Sequence, residues 1–386
     1  MTLRFCIIVS LTLLKTALAA NYNLSPSCGT TKRDFLAVLF RHGERAPLGT
    51  FPGDPNPQHP WPFGFGELTR DGRDRMNYLG MWLRHSLGEF MTSDTRDVGA
   101  RSSPAPRCFD SAALLLDELY PASGKWAWHE GDHWQPVPIT SMPKDHDKYT
   151  FYCPKFLKKM LADLMSKFAT TDGPGKGLLQ TLSTKTKVSA SEPRKLLDAL
   201  DALVVQAENN LKMPNWFATQ KDHFLQFNHA VYVAIGSALS RNMGGEIIRD
   251  IAGKVKEYYY PQNVTKKAAG STMAPLDVPY EIVKRLHLFS YHDLNLIAVL
   301  YSLNPNEIKK RPDYGSLVIF ESVKNTLLDE PQIRVLYRDG ETNHVVYNIT
   351  GCPYPCTVKM FLEYVDKKFK PMTNSECGIP DSHILL

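Results

Sequence analysis

Residues 35–47 read FLAVLFRHGERAP, an apolar run that stops at two arginines placed around a histidine. Six consecutive apolar residues without helical gaps, followed by glycine and proline, predict a buried β-strand. Arg41, His42 and Arg45 then lie where the strand ends, and in open α/β sheets ligands bind beyond the carboxyl ends of strands. Guanidinium groups offer planar forks of donors that suit phosphate, and an imidazole can attack phosphorus. This stretch therefore predicts a phosphate site at the end of a buried strand.

Strands and helices alternate along the rest of the chain. Further strands are predicted at Asp97–Ala100, Lys284–Ser290, Tyr314–Ser322 and Gln332–Arg338. Helices are predicted from near Thr69 and at Phe109–Leu119, Ser191–Leu211 and Leu294–Leu303. This alternation indicates an α/β fold with a mainly parallel sheet flanked by helices.

The character of the sequence divides the chain into segments. Residues 30–120 and 264–345 carry the predicted strands and are predicted to form an α/β catalytic core. Residues 121–263 begin with tryptophans among prolines and continue as polar helical stretches, so we expect a smaller, inserted, largely helical cap lobe. Residues 346–386 are predicted to be a C-terminal segment tied by disulfides.

The motif R-H-G-x-R-x-P at residues 41–47 resembles the signature of the histidine acid phosphatases, and further segments extend the resemblance. They are Trp61–Thr69, Arg101-Ser102-Ser103, Met213-Pro214-Asn215-Trp216 and Tyr291-His292-Asp293. The resemblance runs from about Asp34 to Cys377 and is nearest to the secreted animal acid phosphatases, including those of insect venoms. It implies a phosphoglycerate-mutase-like fold and an enzyme that hydrolyses small phosphate monoesters without a metal or other cofactor. Family members are often dimers, so a homodimer is also an expectation.

The resemblance also implies a role for each site residue. His42 would attack phosphorus and form a phosphohistidine, and Asp293 would protonate the leaving oxygen. The residues that would hold the phosphoryl oxygens are Arg41, Arg45, Arg101 and His292. Guanidiniums crowded around His42 favour its neutral, nucleophilic form, and Asp293 must carry a proton to act as an acid. We therefore expect an acidic optimum.

Three departures from the family pattern leave two alternative functions open. Arg107 keeps the second arginine of the family's longer pattern after Arg101, but Ser103 and Cys108 stand in place of threonines. Leu294 replaces the threonine that commonly follows the distal His-Asp pair. One alternative is a secreted, phosphatase-like protein with weakened turnover that binds a ligand. The other is a specialised, phytase-like phosphatase.

The net charge argues against nucleic-acid binding, and two further motif matches do not predict functional sites. The formal net charge is +5, and removing Arg4 and Lys15 with the leader leaves it near +3, too little for a nucleic-acid-binding face. A second His-Asp pair, His146-Asp147, lies among charged loop residues rather than after an apolar strand. The segment His129–His133 matches H-E-x-x-H, but its internal glycine and the prolines that follow argue against the helix that a zinc site needs. We predict no metal site.

The first 19 residues are predicted to be a signal peptide. Arg4 precedes the apolar stretch Phe5–Leu14, and Ala17-Leu18-Ala19 forms an A-x-A cleavage site. The apolar stretch is too short to span a bilayer, so we expect a secreted protein without a membrane anchor. Three sequons, at Asn23, Asn263 and Asn348, predict glycosylated loops.

Cysteine usage agrees with secretion. Cys6 lies in the leader, and an even number of six cysteines remains, which indicates disulfides. Cys352 and Cys356 are spaced to close a small loop, and we discount a half metal site because no matching second half is nearby. Resemblance to the family implies a bond between Cys153 and Cys377. Cys28 and Cys108 would then be left as a pair.

Overall fold

A mixed β-sheet lies at the centre of the protein. The computed structural model describes residues 31–131, 134–150, 154–170, 175, 177–261, 284–325, 330–371, 373 and 376. Its strands are β1 (Thr31–Arg41), β2 (Val98–Ser102), β3 (Ile139–Ser141), β4 (Leu286–Tyr291), β5 (Leu317–Asn325), β6 (Pro331–Arg338) and β7 (Val345–Tyr347). Within the described residues they form one seven-stranded sheet in the order β3-β2-β4-β1-β5-β6-β7.

Strand direction confirms the predicted fold class. β1, β2, β3 and β4 pair in parallel, whereas β5, β6 and β7 join by antiparallel pairing. Five strands of this sheet therefore run in one direction, and β5 and β7 run in the other. The sheet is mainly parallel, with an antiparallel extension on the β5 side.

Helices cover both faces of the sheet. They are α1 (Arg70–Leu87), α2 (Pro106–Leu119), α3 (Pro154–Thr170), α4 (Leu178–Thr186), α5 (Pro193–Glu208), α6 (Asn215–Ala218), α7 (Lys221–Ala238), α8 (Gly245–Tyr259), α9 (Asp293–Leu303) and α10 (Val358–Lys368). A π-helical turn at Ser240–Gly244 joins α7 to α8. No helix of the described part of the chain is long and apolar enough to cross a membrane.

The continuous apolar run of β1 reflects burial on both faces. Phe35, Ala37 and Leu39 belong to one hydrophobic core, shared with the helices from α3 onwards. The alternate residues of the strand belong to a second core, against α1 and α2. Because successive side chains of a strand point to opposite faces, a strand covered on both sides must be apolar at every position. This is why the sequence predicted the strand correctly.

The other predicted elements are present, with small shifts in their bounds. The helix expected from near Thr69 begins at Arg70, and the hydroxyl of Thr69 caps it by accepting from the N–H of Gly72 at 3.0 Å. The helix predicted from Phe109 begins earlier, at Pro106, because proline suits the first turn, where no intrahelical donor is needed. The distal helix begins at Asp293, directly after β4.

One strand comes from the range assigned to the cap. The described part of residues 121–263 contributes helices and also β3, which pairs with β2 at the edge of the sheet. Ala100 is opposite Ile139 in this pairing. The proposed boundary at residue 121 therefore separates β3 from the sheet to which it belongs. The sequence did not indicate this, because β3 is only three residues long.

Cysteine pairing agrees with prediction at one pair and disagrees at another. Cys352 and Cys356 form a disulfide, which confirms the small loop. Cys108 is a free, buried thiol on α2, so the pairing with Cys28 is wrong. Its sulfur lies 3.7 Å from the carbonyl oxygen of Tyr291, inside the core rather than at the surface. Cys28, Cys153 and Cys377 themselves lie outside the described residues.

Two of the three sequons and the leader lie outside the described residues. They are Asn23, Asn263 and residues 1–19. Asn348 is described, and its side chain is exposed just after β7. An exposed asparagine in a loop is compatible with the predicted glycosylation.

Candidate active site

The parallel strands bring the distant motifs to one edge of the sheet. Arg41, the last residue of β1, is opposite Tyr291, the last residue of β4. The N–H of His42 donates to the carbonyl oxygen of Tyr291 at 3.0 Å, and the N–H of Ser103 donates to that of Ser290 at 3.0 Å. The residues that follow β1, β2 and β4 therefore meet at their carboxyl ends, as the sequence predicted.

A glycine is required where the loop after β1 meets α1. A β-carbon at Gly43 would lie 2.3 Å from the carbonyl oxygen of Gly72, a distance that real side chains do not reach. Gly72 is similarly tight, since a β-carbon there would lie 2.0 Å from the carbonyl oxygen of Glu44. This close backbone contact fixes the loop that carries His42 against the first turn of α1.

Nε2 is the ring nitrogen of His42 that carries the lone pair. Its Nδ1 lies 2.8 Å from the carbonyl oxygen of Gly43, which can only accept, so Nδ1 carries the hydrogen. Nε2 in turn accepts from Nε of Arg107 at 3.2 Å. Burial first, and then the charge of Arg107, hold the pKa of His42 well below its ordinary value of 6.5. The imidazole is therefore neutral and nucleophilic even in acid.

His292 lies beside His42, and their ring centroids are 5.4 Å apart. Its Nε2 is 2.9 Å from the hydroxyl of Ser103, and its backbone N–H donates to the side-chain oxygen of Asn295 at 3.1 Å. Burial and the charge of Arg107 lower the pKa of His292 to about 3. Ser103, which replaces a threonine of the family pattern, thus supplies a hydroxyl partner for this histidine.

Asp293 is a buried carboxylate between two guanidiniums. Its Oδ2 accepts from Nε of Arg311 at 2.6 Å and lies 3.1 Å from Nη2 of Arg41. Its Oδ1 accepts from the N–H of Leu294 at 2.8 Å. Burial alone would raise the pKa of Asp293, but Arg311 and then Arg41 lower it well below its ordinary value. The carboxyl group is therefore ionised in the ligand-free protein.

A second buried carboxylate, Asp201 on α5, ties two arginines together. Its Oδ2 accepts from Arg45 at 2.7 Å, and its Oδ1 accepts from Arg311 at 3.2 Å. Arg41, Arg45, Arg107 and Arg311 thus surround Asp201 and Asp293, which leaves a net formal charge of +2 in this cluster. Nε of Arg41 and of Arg45 are buried donors without a hydrogen-bond partner within the described structure. Such a site attracts a doubly charged anion.

Arg101 does not join this cluster, contrary to the sequence-based prediction. Its Nη2 lies 2.8 Å from the carboxylate of Asp147, and its Nε donates to the hydroxyl of Tyr291 at 3.0 Å. Its guanidinium also lies 3.9 Å from the ring centroid of Tyr149. Asp147 is fully buried, so it needs this cationic partner. The His-Asp pair at residues 146–147 is thus a structural element, and Arg107 stands beside His42 instead.

A cavity of about 490 Å³ opens in front of His42. Its polar end is lined by His42, Arg45, Arg107, His292, Asp293 and Arg311. Arg41 pairs with Asp293 but is not part of the described lining. The sequence motifs therefore located most of this end of the cavity, but Arg311 and its partner Asp201 were missed.

The H-E-x-x-H segment is not helical where it is described. Residues 129–131 form a bend and a turn, and Gly131 has a φ of 87°, in the left-handed region. His133 lies outside the described residues. Among the described residues, no group of three or more histidine, cysteine or acidic side chains is arranged to hold a metal ion.

Comparison with known proteins identifies the family. The family model described as histidine phosphatase superfamily (branch 2) matches residues 34–338. The chain belongs to this family. It is therefore a phosphatase, and the resemblance noted in the sequence is confirmed.

Relatives of this histidine phosphatase include acid phosphatases of mammals. Mouse prostatic acid phosphatase is 26% identical over 371 residues, which cover 90% of each chain. Human lysosomal acid phosphatase is 24% identical over 385 residues, which cover 95% of this chain and 85% of the human protein. The similarity thus extends over nearly the whole length of both kinds of relative.

Solved structures of the same fold include phosphatases of bacteria. The phytase of Citrobacter braakii superposes with a TM-score of 0.60 at 14% identity, covering 90% of this chain and 99% of the phytase. The Bifidobacterium longum multiple inositol polyphosphate phosphatase, in complex with inositol hexasulfate, gives a TM-score of 0.61 at 11% identity, covering 92% and 96%. At such identities the likeness shows the shared fold alone, and it confirms the phosphoglycerate-mutase-like class.

We expect this histidine phosphatase to lose stability as the pH falls from 7 to 5, because His42 and His292 are neutral in the folded state. In the folded state His42 and His292 stay neutral, because their pKa values lie below 6.5, whereas in the unfolded chain they take up protons near 6.5. The unfolded state then binds more protons, so the free energy of unfolding should fall by on the order of 2 kcal/mol for His292 at pH 5, and His42 should act in the same direction. Asp293 adds nothing in this window, because a lowered carboxyl pKa affects stability only below about pH 4.

Urea unfolding of wild type and His292→Asn at pH 7 and pH 5 measures this effect. The variant should lose less free energy of unfolding between the two pH values than wild type does. Equal losses would contradict the assignment of a neutral, buried His292. Inorganic phosphate should raise the stability of wild type at both pH values, since it binds only the folded state.

Proposed function

We propose that the protein is a secreted acid phosphatase that hydrolyses small phosphate monoesters through a phosphohistidine at His42. The observation that carries this proposal is the position of His42, whose Nδ1 lies 2.8 Å from the Gly43 carbonyl oxygen and whose Nε2 faces Arg107 inside a cluster of net charge +2. A monoester dianion matches that charge. Positioning and electrostatic stabilisation supply most of the catalysis in phosphoryl transfer.

In the first step Nε2 of His42 attacks phosphorus, and the bond from phosphorus to the ester oxygen breaks. Asp293 gives its proton to that oxygen, so the alcohol leaves neutral. In the second step water attacks the phosphorus of the phosphohistidine, Asp293 takes a proton from the water, and the P–N bond breaks. Inorganic phosphate leaves, and His42 and Asp293 return to their starting states.

Binding of the phosphate dianion promotes protonation of Asp293. In the ligand-free protein Arg41 and Arg311 keep the carboxylate ionised. A bound phosphate dianion competes for Arg45 and Arg107 and places negative charge near Asp293, which raises the pKa of that carboxyl group. Proton uptake on binding is easier in acid, and His42 stays neutral there. Both effects favour an acidic optimum.

A pH profile tests the proposed function. Hydrolysis of an aryl phosphate between pH 3 and pH 9 should peak below pH 7 and should be unaffected by a metal chelator. An optimum above neutrality would contradict the assignment of Asp293 as the acid. Absence of turnover in folded protein that still binds phosphate would favour the alternative of a ligand-binding protein.

Arg107, rather than Arg101, is proposed to hold the phosphoryl group. Arg107→Lys keeps the charge but loses the planar fork, so kcat/KM for an aryl phosphate should fall by roughly 10²-fold. Arg101→Lys is the matched control, because Arg101 pairs with buried Asp147. It should lower the melting temperature and change kcat/KM less than fivefold. The reverse pattern would restore Arg101 as the phosphate ligand.

Secretion is proposed from the leader and the cysteines. The Cys352–Cys356 disulfide and the exposed Asn348 fit an oxidising, glycosylating route. The mammalian relatives named above are prostatic and lysosomal acid phosphatases. Expression of the full chain in insect cells should release protein into the medium that has lost residues 1–19. Retention in the cell with an intact N-terminus would contradict this part of the proposal.

A further inference from the structure

We propose that the cavity selects phosphate monoesters of alcohols that carry one apolar chain. This inference rests on the proposed phosphatase function and adds the class of leaving group. It comes from the part of the cavity beyond the arginines, which differs sharply in character from the polar end.

Part of the cavity wall is apolar. It is formed by Met160, Leu161, Leu197, Ile235, Met243 and Leu294, which come from α3, α5, α7, the π-helical turn and α9. Met160, Leu197, Ile235 and Met243 are each at most 9% exposed. Buried methyl and thioether groups cannot replace the hydration of a polar alcohol, but they favour a hydrocarbon chain.

Apart from the residues of the polar end, the charged residues of the described lining are all exposed, at the mouth. Lys144, Arg194 and Asp198 also line the cavity, and all three are exposed. Together they add a net charge of only +1, whereas an inositol polyphosphate carries several further phosphates that each need cationic partners. The mouth also includes Leu48, which is 47% exposed. The described lining therefore suits one phosphate and an uncharged remainder.

The apolar wall begins next to the proposed acid. Leu294 follows Asp293 in the chain and lines the same cavity. The leaving oxygen must lie close to the Asp293 carboxyl group to receive its proton, so the carbon chain bonded to that oxygen starts beside Leu294. The leucine at this position, in place of the family's threonine, removes a hydroxyl and adds hydrocarbon at the point where the chain enters the apolar part.

The volume leaves room for such a chain. A phosphate group has five non-hydrogen atoms and, at roughly 30 Å³ for each, fills about 150 Å³. The cavity measures about 490 Å³. The remainder accommodates roughly ten methylene-sized groups at the same scale. A chain of six to eight carbons therefore fits without expansion of the helical lobe.

A homologous series of substrates tests the inference. We would measure kcat/KM for methyl, butyl, hexyl and octyl phosphate, below the concentrations at which they form micelles, and for myo-inositol hexakisphosphate. Each buried methylene should raise kcat/KM about threefold to fourfold, so hexyl phosphate should exceed methyl phosphate by at least 100-fold. The hexakisphosphate should be hydrolysed more slowly than hexyl phosphate.

Two substitutions on α3 locate the effect. Leu161→Asn places an amide in the apolar wall and should reduce the hexyl-to-methyl ratio of kcat/KM at least fivefold. Ala162→Asn, at an exposed position of the same helix, should leave that ratio unchanged. Hydrolysis of all the alkyl esters at equal rates would overturn this inference and leave the proposed function intact. Failure to hydrolyse any ester would overturn both.

Discussion

His42→Ala is expected to abolish hydrolysis of aryl phosphate, with kcat at least roughly 10⁴-fold below wild type. The substitution removes Nε2, the atom that attacks the ester in the first step and that the Gly43 carbonyl and Arg107 hold in the neutral, lone-pair form. Rapid quenching of wild type with ³²P-labelled substrate into alkali should trap label on the protein, since phosphohistidine survives alkali. His42→Ala should trap none.

The matched control is His223→Ala, because His223 is an exposed histidine on α7 that is not among the residues lining the cavity. It should retain wild-type kcat and should trap label normally. A His42→Ala protein that binds phosphate, as shown by a raised melting temperature, would prove that the loss is chemical rather than structural. Substantial residual turnover, or label trapped without His42, would contradict the phosphohistidine mechanism.

The fold could be predicted because its signals are local. β1 is apolar at each position from 35 to 40 because both of its faces are covered, and α1 is preceded by a threonine that caps it. Each of these patterns is contained within a few residues, so the sequence alone is sufficient. β3 could not be predicted in this way, because three residues are too few to show a periodicity. Its place in the sheet depends on its pairing with β2.

The choice between Arg101 and Arg107 could not be made from the sequence. Arg101 is the penultimate residue of β2 and Arg107 lies shortly after the strand, and both belong to the family pattern. Which of them faces His42 depends on the turn between β2 and α2 and on the partner of each guanidinium. Arg101 is held by Asp147, a residue 46 positions away, while Arg107 lies on the first turn of α2 beside His42. A pairing between residues so far apart in the chain cannot be inferred from this sequence alone.

The sequence around Asp201 gives a weaker indication that this residue is buried and paired. It lies among leucines, alanines and valines on α5, and a carboxylate within a buried helix is costly unless it is paired. That pattern predicts a buried cationic partner without naming it. The partners, Arg45 and Arg311, are 156 and 110 residues away. Arg311 itself belongs to no recognisable motif, so only the structure could place it.

Asp201 and Asp293 also explain how several arginines can lie close together inside a folded protein and still bind an anion. Four unpaired guanidiniums buried together would repel one another, and Asp201 and Asp293 offset about half of that charge. Asp201 is fully enclosed and is not among the residues that line the cavity. Asp293 reaches the cavity, so it alone can exchange a proton with a bound ester.

Asp293→Asn is therefore expected to separate binding from proton transfer. The amide keeps the shape of the side chain, and its oxygen can still accept from the N–H of Leu294, but it cannot supply a proton. For an alkyl phosphate, whose alkoxide leaves poorly, kcat should fall by roughly 10²- to 10⁴-fold. For 4-nitrophenyl phosphate, whose phenolate is a stable leaving group, the loss should be at least tenfold smaller.

Inorganic phosphate should inhibit the Asp293→Asn variant more strongly than wild type, because Arg311, which lines the cavity, loses a competing carboxylate. Asp222→Asn, an exposed carboxylate on α7, is the control and should alter neither rate. The decisive quantity is the ratio of the two losses. If both esters lose the same factor, Asp293 holds the arginines in place but does not protonate the leaving group, and the proton must come from another group or from solvent. A loss that grows with the pKa of the leaving alcohol is the behaviour that only a proton donor produces.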